Sequence, residues 1–301
     1  MVDRFGRRAL WRKFLLTPLE AALSNLVYYF FAAFPIDLAS AVGGWLGRTV
    51  GPKLKVNRYA VQNLKRAFPE KAEAEIAGIV HAMWDNLGRV VAEYPHLQKL
   101  KLYEGGGRIE VVGAENVDLL RDDGKPGIFF SAHIGNWELV SMTATQRGLP
   151  LTRIYRAPNN PLADRLIRRA RRHITGELLQ KGAEGARRAI EIMRNGGHLG
   201  MMVDQKMNDG IAVPFFGRDA MTAPALARIA LKFHCPVVPA KVERTHGAHF
   251  SISVLPPLEL PETGDRQADV KAGMTLVNRI IEGWIRESPE QWLWVHRRWP
   301  D

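Results

Sequence analysis

Cysteine is nearly absent: Cys235 stands alone in 301 residues. A lone thiol excludes an internal disulfide and any zinc site built on several cysteines, and it agrees with a reducing compartment. Familiar catalytic and cofactor signatures are missing too. The chain has no G-x-x-x-x-G-K-[ST] phosphate loop, no convincing dinucleotide fingerprint, no G-x-S-x-G nucleophile elbow and no H-E-x-x-H. His173, His198, His234, His246 and His249 fall into no metal-ligand spacing, so no metal and no cofactor are expected. No internal repeat or low-complexity tract is visible. Acidic charge is in deficit, with Asp+Glu 31 against Lys+Arg 42 and a net charge of +11. That field favours an anionic partner: nucleic acid, an anionic membrane surface or an acidic carrier protein.

What is present begins with a basic amino terminus. Arg4, Arg7, Arg8, Arg12 and Lys13 precede an uncharged apolar segment from Ala21 to Ile36, rich in aromatics at Tyr28, Tyr29, Phe30, Phe31 and Phe34. The segment falls short of the ~20 residues of a comfortable membrane span. A signal peptide is disfavoured because the apolar part starts late and lacks a clear cleavage site. A buried core helix remains an alternative. A membrane-associated helix, spanning or interfacial, is the favoured expectation, with the basic residues on the cytoplasmic side.

Helices are expected over Ile36–Val50, over 53–69 and, most clearly, over 70–94, where Ile76, Ile79, Val80, Met83, Leu87 and Val90 form one apolar stripe. From Ile109 onward short strands and helices alternate. Strands are expected at 109–112, 127–132, 151–156, 198–203, 237–243 and 250–255. Helices are expected at 137–146, 160–174, 186–194, 222–233 and 265–286. Asn160-Pro161 is a helix start, and Gly196-Gly197 stops the helix before it. The alternation predicts an α/β fold: a mixed, largely parallel central sheet flanked by helices, with a helical, membrane-associated front end. The expected division is 1–50 for that front end and 51–301 for the catalytic domain.

The apolar run Phe129-Phe130-Ser131-Ala132 ends in His133, and Glu138 follows five positions later, with Gly135 and Asn136 between them. These are the residues of a sharp strand-to-helix turn, at the end of a strand where α/β folds bind ligands. Glu138 would fall in the first turn of the next helix, where the dipole favours an ionised carboxylate. Such a carboxylate can orient an imidazole and stabilise its protonated form. Neither Ser131 nor Cys235 sits in a nucleophile pattern, so the missing nucleophile is most simply a hydroxyl of the substrate, and the chemistry is acyl transfer. A His that merely closes a strand and a Glu that merely caps a helix fit these residues equally well.

Other strand ends carry further candidates. Arg156, in Tyr155-Arg156-Ala157-Pro158-Asn159-Asn160-Pro161, is suited to gripping a phosphate or carboxylate, or else to a surface salt bridge. Asp204 ends another apolar strand, either supporting the site or serving as a turn acid. Asn136 joins Arg156 and Asp204 as a substrate-binding candidate. Arg165, Arg168, Arg169, Arg171 and Arg172 form a solvated face or a docking face for an anion. Phe215-Phe216 sits in a loop that lines an apolar pocket or anchors to the core.

Together these segments resemble the late acyltransferases of lipid A biosynthesis (the lauroyl and myristoyl type) within the lysophospholipid acyltransferase superfamily. His133-Ile134-Gly135-Asn136-Trp137-Glu138 is similar to the histidine-x4-acid motif in its glutamate form. Tyr155 to Pro161 is similar to the second block, Asp204-Gln205 with Pro214-Phe215-Phe216-Gly217 to the third, and Val238-Pro239-Ala240 to the fourth. The resemblance implies an acyltransferase that moves a fatty acyl chain from an acyl carrier protein thioester to a hydroxyl of a lipid A precursor. It implies His133 as general base oriented by Glu138, Arg156 on a phosphate, Asp204 in support, and work at the cytoplasmic face of the bacterial inner membrane. Two rivals stand beside it: the same reaction on a glycerophospholipid or glycolipid, and a non-catalytic basic protein that binds membranes or nucleic acid. No nucleic-acid partner is expected, because no recognition motif or stacking-aromatic pattern is present.

Overall fold

The computed structural model describes residues 16–158 and 160–299. The amino-terminal basic residues lie outside these. The first described helix, α1 (Thr17–Ala32), is followed by Pro35, whose ring cannot continue a helix, and α2 (Ile36–Val50) starts directly after it. Among the described residues no helix is long and apolar enough to cross a membrane. Nor is α1 a buried core helix. Ala21 and Phe31 are buried, but Leu19, Leu23, Leu26 and Phe30, spaced by four, three and four residues, form an outward stripe, with Leu26 67% exposed. In α2, Leu38, Trp45 and Val50 are exposed as well.

Next come α3 (Asn57–Ala67) and α4 (Glu73–Glu93). The α2–α4 pair approaches at glycines, because a Cβ on Gly88 would run into the Gly43 carbonyl and the Gly47 Cα. Those obstacles are backbone atoms that cannot swing aside. Gly88→Ala is expected to destabilise the protein by about 1–3 kcal/mol, the usual cost of overpacking, read as a lowered melting temperature.

The sheet comprises β1 (Ile109–Val112), β2 (Gly127–Ser131), β3 (Leu151–Tyr155), β4 (Leu178–Gln180), β5 (His198–Met202), β8 (Val237–His246) and β9 (His249–Val254), in the order β1-β9-β8-β2-β5-β3-β4. Neighbours are parallel except β8 and β9, which are antiparallel. Every residue of β2 is buried, as a central parallel strand covered on both faces requires. The helices between strands are α5 (Glu115–Asp122), α6 (Glu138–Gln146), α7 (Pro161–Ala170), α8 (Ala183–Arg194) and α9 (Ala225–Phe233), and α10 (Arg266–Glu287) follows the last strand. The expected fold class is therefore observed.

Three local features differ from expectation. Helix α5 and strand β4 are short enough to escape a periodicity reading. The Phe215-Phe216 segment is no loop: β6 (Lys206–Phe215) and β7 (Arg218–Thr222) form an antiparallel hairpin around a two-residue turn, Phe216-Gly217. Both turn residues have positive φ, +51° and +68°, the geometry that usually calls for Asn-Gly. Both phenylalanines are buried, packed with Trp292, Trp294 and Trp299, so they anchor the core. Finally, α7 ends at Ala170 instead of continuing to Ile174, which lets Arg171 turn inward.

Candidate active site

Register assembles the site. Ser131 of β2 pairs with Met202 of β5, and His133 and Asp204 each lie two residues past those partners on parallel neighbouring strands. His133 Nδ1 lies 2.8 Å from Asp204 Oδ1, and the His133 backbone N–H donates to Oδ2 at 2.9 Å. Trp292 Nε1 donates to the same Oδ2 at 2.7 Å. Three donors thus converge on a carboxylate that is only 2% exposed. Burial would push its pKa up, but His133 and these hydrogen bonds outweigh burial and hold it well below the usual carboxylate range. An ionised Asp204 fixes the tautomer with the proton on Nδ1, leaving the Nε2 lone pair free to act as a base. Burial lowers the His133 pKa, yet the Asp204 carboxylate outweighs it and the net direction is up.

Around Nε2 the protein offers little. The Gln205 amide nitrogen is 3.4 Å away, too far for a strong hydrogen bond, and sits 2.7 Å from His296 Nε2. Burial, and then the nearby His133, push the His296 pKa down, so it stays neutral. Trp137 packs its ring edge-on to the imidazole at 5.2 Å. Among the described residues no serine or cysteine is hydrogen-bonded to His133. The Cys235 thiol is pushed up to about 12 by burial, which leaves it inert at neutral pH. Nor do three His, Cys, Asp or Glu side chains group as a metal would need, among the described residues.

The loop carrying His133 is pinned from behind. Gly135 has φ +58°, and a Cβ there would come within 2.6 Å of the Val242 carbonyl. The Gly135 N–H donates to Gln291 O, the Leu293 N–H donates to His133 O, and Asn86 of α4 donates to both Gly135 O and Gln291 O. The carboxy-terminal segment thereby braces the loop, as Ile134 and Trp292 form an antiparallel bridge. Glu93, fully buried at the end of α4, accepts from Ser40, Asn136 and Arg244 and ties α2, the loop and β8 together.

Two expectations need correcting. Glu138 does not hold the imidazole: no hydrogen bond joins it to His133. Its oxygens accept two bonds from Arg171, Nε at 2.8 Å and Nη2 at 2.5 Å, and one from Tyr94 Oη at 2.5 Å. Burial raises the Glu138 pKa, but Arg171 and then Tyr94 outweigh it, so the group is ionised and acts on His133 only through space. Asn136 is not placed to bind substrate. It is 0% exposed, its amide nitrogen donates to Glu93 at 2.8 Å, and its oxygen accepts from the Glu138 N–H at 3.3 Å. It therefore builds the turn into α6.

Arg156 is exposed just past β3, and its charge reaches His296. It has neither hydrogen bond nor ion pair among the described residues, so it is not spent on a salt bridge. The sequence drew no attention to Tyr94 or His296. It marked Arg171 only as one of a basic run. Trp292, Trp294 and Trp299 are buried. A cavity of about 1150 Å³ between β4 and α8 does not include His133.

The geometry is that of an oriented base facing an open position, with no serine or cysteine hydrogen-bonded to it among the described residues. Comparison with known proteins supplies the family. The profile of the family described as "Bacterial lipid A biosynthesis acyltransferase" matches residues 12–301. The chain is 24% identical to a lipid A biosynthesis acyltransferase of Haemophilus influenzae, covering 88% of this chain and 82% of that one. It is 26% identical to the lipid A biosynthesis myristoyltransferase of Escherichia coli K12, covering 83% and 77%. It is 24% identical to the lauroyltransferase of the same strain, covering 99% and 95%. With the match extending over nearly its whole length, the chain belongs to the bacterial lipid A biosynthesis acyltransferase family.

Proposed function

We propose that the protein transfers a fatty acyl chain from an acyl carrier protein thioester to a hydroxyl of a lipid A precursor, with His133 as general base. The carrying observation is the imidazole held through Nδ1 by Asp204 while Nε2 lacks a strong partner. The acceptor hydroxyl gives its proton to Nε2 as its oxygen attacks the thioester carbonyl. The carbon–sulfur bond then breaks, and the imidazolium returns the proton to the departing thiolate. Asp204 supports the positive charge on the ring during this exchange. Glu138 contributes at one remove, by its negative field and by fixing Arg171. Arg156, exposed beside the crevice, binds a phosphate of acceptor or donor. The net charge of +11 attracts both an acidic carrier and an anionic lipid. The outward apolar stripe of α1 lies in the membrane interface at the cytoplasmic face of the inner membrane, with its apolar side chains among the acyl chains.

The test pairs purified protein with a lipid A precursor and either an acyl carrier thioester or the matching coenzyme A thioester. Mass spectrometry should find one added chain on the precursor, made faster from the carrier. Transfer to a lysophospholipid in preference to the precursor would refute the acceptor assignment. The pH profile checks the base. Because His133 must be deprotonated and its pKa lies above the ordinary value of about 6.5, kcat/KM should rise with pH through an inflection above that value and fall away below it.

A further inference from the structure

Between α1, α7 and the 3₁₀ turn Tyr94–Lys99 lies a second site, distinct from the catalytic crevice. This pocket of about 200 Å³ is lined by Tyr28, Tyr29, Lys99, Arg169 and Arg172, with Tyr94 at its inner wall and no acidic residue in its lining. Its arginines differ from their neighbours in the basic run. Arg168 is paired with Asp164 and Arg171 with Glu138. Lys99, Arg169 and Arg172 have no carboxylate partner among the described residues. Arg169 donates instead to the Tyr29 hydroxyl at 3.0 Å. Both Arg169 and Arg172 lie near enough to pull the Tyr28 hydroxyl pKa down against the larger upward push of burial. The wall is anchored, since Asn160, which caps α7, donates to the Thr17 carbonyl of α1 at 2.8 Å.

Its position identifies the occupant. Tyr29 borders the outward stripe of Leu23, Leu26 and Phe30, so the pocket opens at the flank of the face that docks on the membrane. Side chains of such a face reach roughly 5–10 Å into the boundary between headgroups and acyl chains. A cation cluster beside them then stands at headgroup level. Two guanidiniums, an ammonium and phenolic hydroxyls are the donors that a phosphate group takes, and 200 Å³ accommodates one with part of what it esterifies. We propose that this pocket binds the phosphate group of a membrane lipid and so seats α1 on the bilayer. The inference rests on the membrane docking of α1.

The test is binding of the full chain to vesicles of digalactosyldiacylglycerol, a neutral lipid without phosphate, doped with phosphatidic acid, or with oleate to the same surface charge. Wild type should bind the phosphate-bearing vesicles about tenfold more tightly, a difference of about 1.4 kcal/mol. Arg169→Gln/Arg172→Gln should erase that preference, whereas His133→Ala should keep it while losing acyl transfer. Equal binding of wild type to both vesicles, or a preference surviving in the double variant, overturns the proposal. Inorganic phosphate at matched ionic strength should leave the preference intact, and its abolition would reassign the pocket to free phosphate. Leu23→Glu/Leu26→Glu separates the underlying reading. That variant should bind neither vesicle, and wild-type binding by it would sink the membrane docking of α1 itself.

Discussion

An Asp204→Asn variant is expected to turn over roughly 10³- to 10⁴-fold more slowly than wild type, comparable to losing the carboxylate of a hydrolytic triad. His133→Ala should lose at least as much. The amide nitrogen of asparagine cannot accept the Nδ1 proton, and its oxygen carries no charge to offset the imidazolium. Because Asp204 is also what holds the His133 pKa up, residual Asp204→Asn activity should show its inflection at lower pH than wild type. A variant with full turnover and an unmoved inflection would contradict the role assigned to Asp204. Glu138→Gln offers the contrast. Its oxygens contact Arg171 and Tyr94, so His133 keeps its orienting partner, and the loss of turnover should be much smaller than for Asp204→Asn. Equal losses would restore Glu138 as the orienting acid.

Arg171→Met should destabilise the protein by about 3–5 kcal/mol, the cost of leaving a buried carboxylate without its partner. Glu138 is 5% exposed and loses two of its three hydrogen bonds in this variant. The double variant Glu138→Leu/Arg171→Met should cost less than Arg171→Met alone, because no uncompensated charge remains. Melting curves across pH give an independent reading. In wild type the folded Glu138 pKa is depressed, so its contribution is full above the unfolded value of about 4.3 and is lost as pH falls through the folded one. Without Arg171, burial raises that pKa above the unfolded value, so the variant's deficit should shrink as pH falls. A deficit that is constant with pH would mean that the lost packing of the arginine, and not the stranded charge, sets the cost.

Much of this was legible from local pattern. The boundaries of β1 and α2 follow from alternation and periodicity, and Asn160-Pro161 caps α7 as its residue types require. His133 stood out because an apolar strand ends in an imidazole. The misassigned partner shows where local pattern stops. Glu138, five residues away, looked like the natural orienting acid, but it opens α6 and its carboxylate is taken by Arg171 and Tyr94. The residue that orients His133 lies 71 positions away. Nothing in either segment alone marks β2 and β5 as neighbours. The Phe216-Gly217 turn was missed for a related reason: a buried aromatic holds a positive φ there because the core gains more from its ring than the backbone loses.

The sequence by itself determined the fold class, the apolar front end and the basic charge, since each depends on residue type, spacing along one chain or composition. Only the tertiary structure decided that Asp204 holds His133, that Glu138 is locked by Arg171 and Tyr94, that Asn136 is a buried brace, and that Lys99, Arg169 and Arg172 share one pocket. Those facts depend on strand order and register and on where α7 ends. Such choices come from burying the whole core at once, and no local window of residues encodes them.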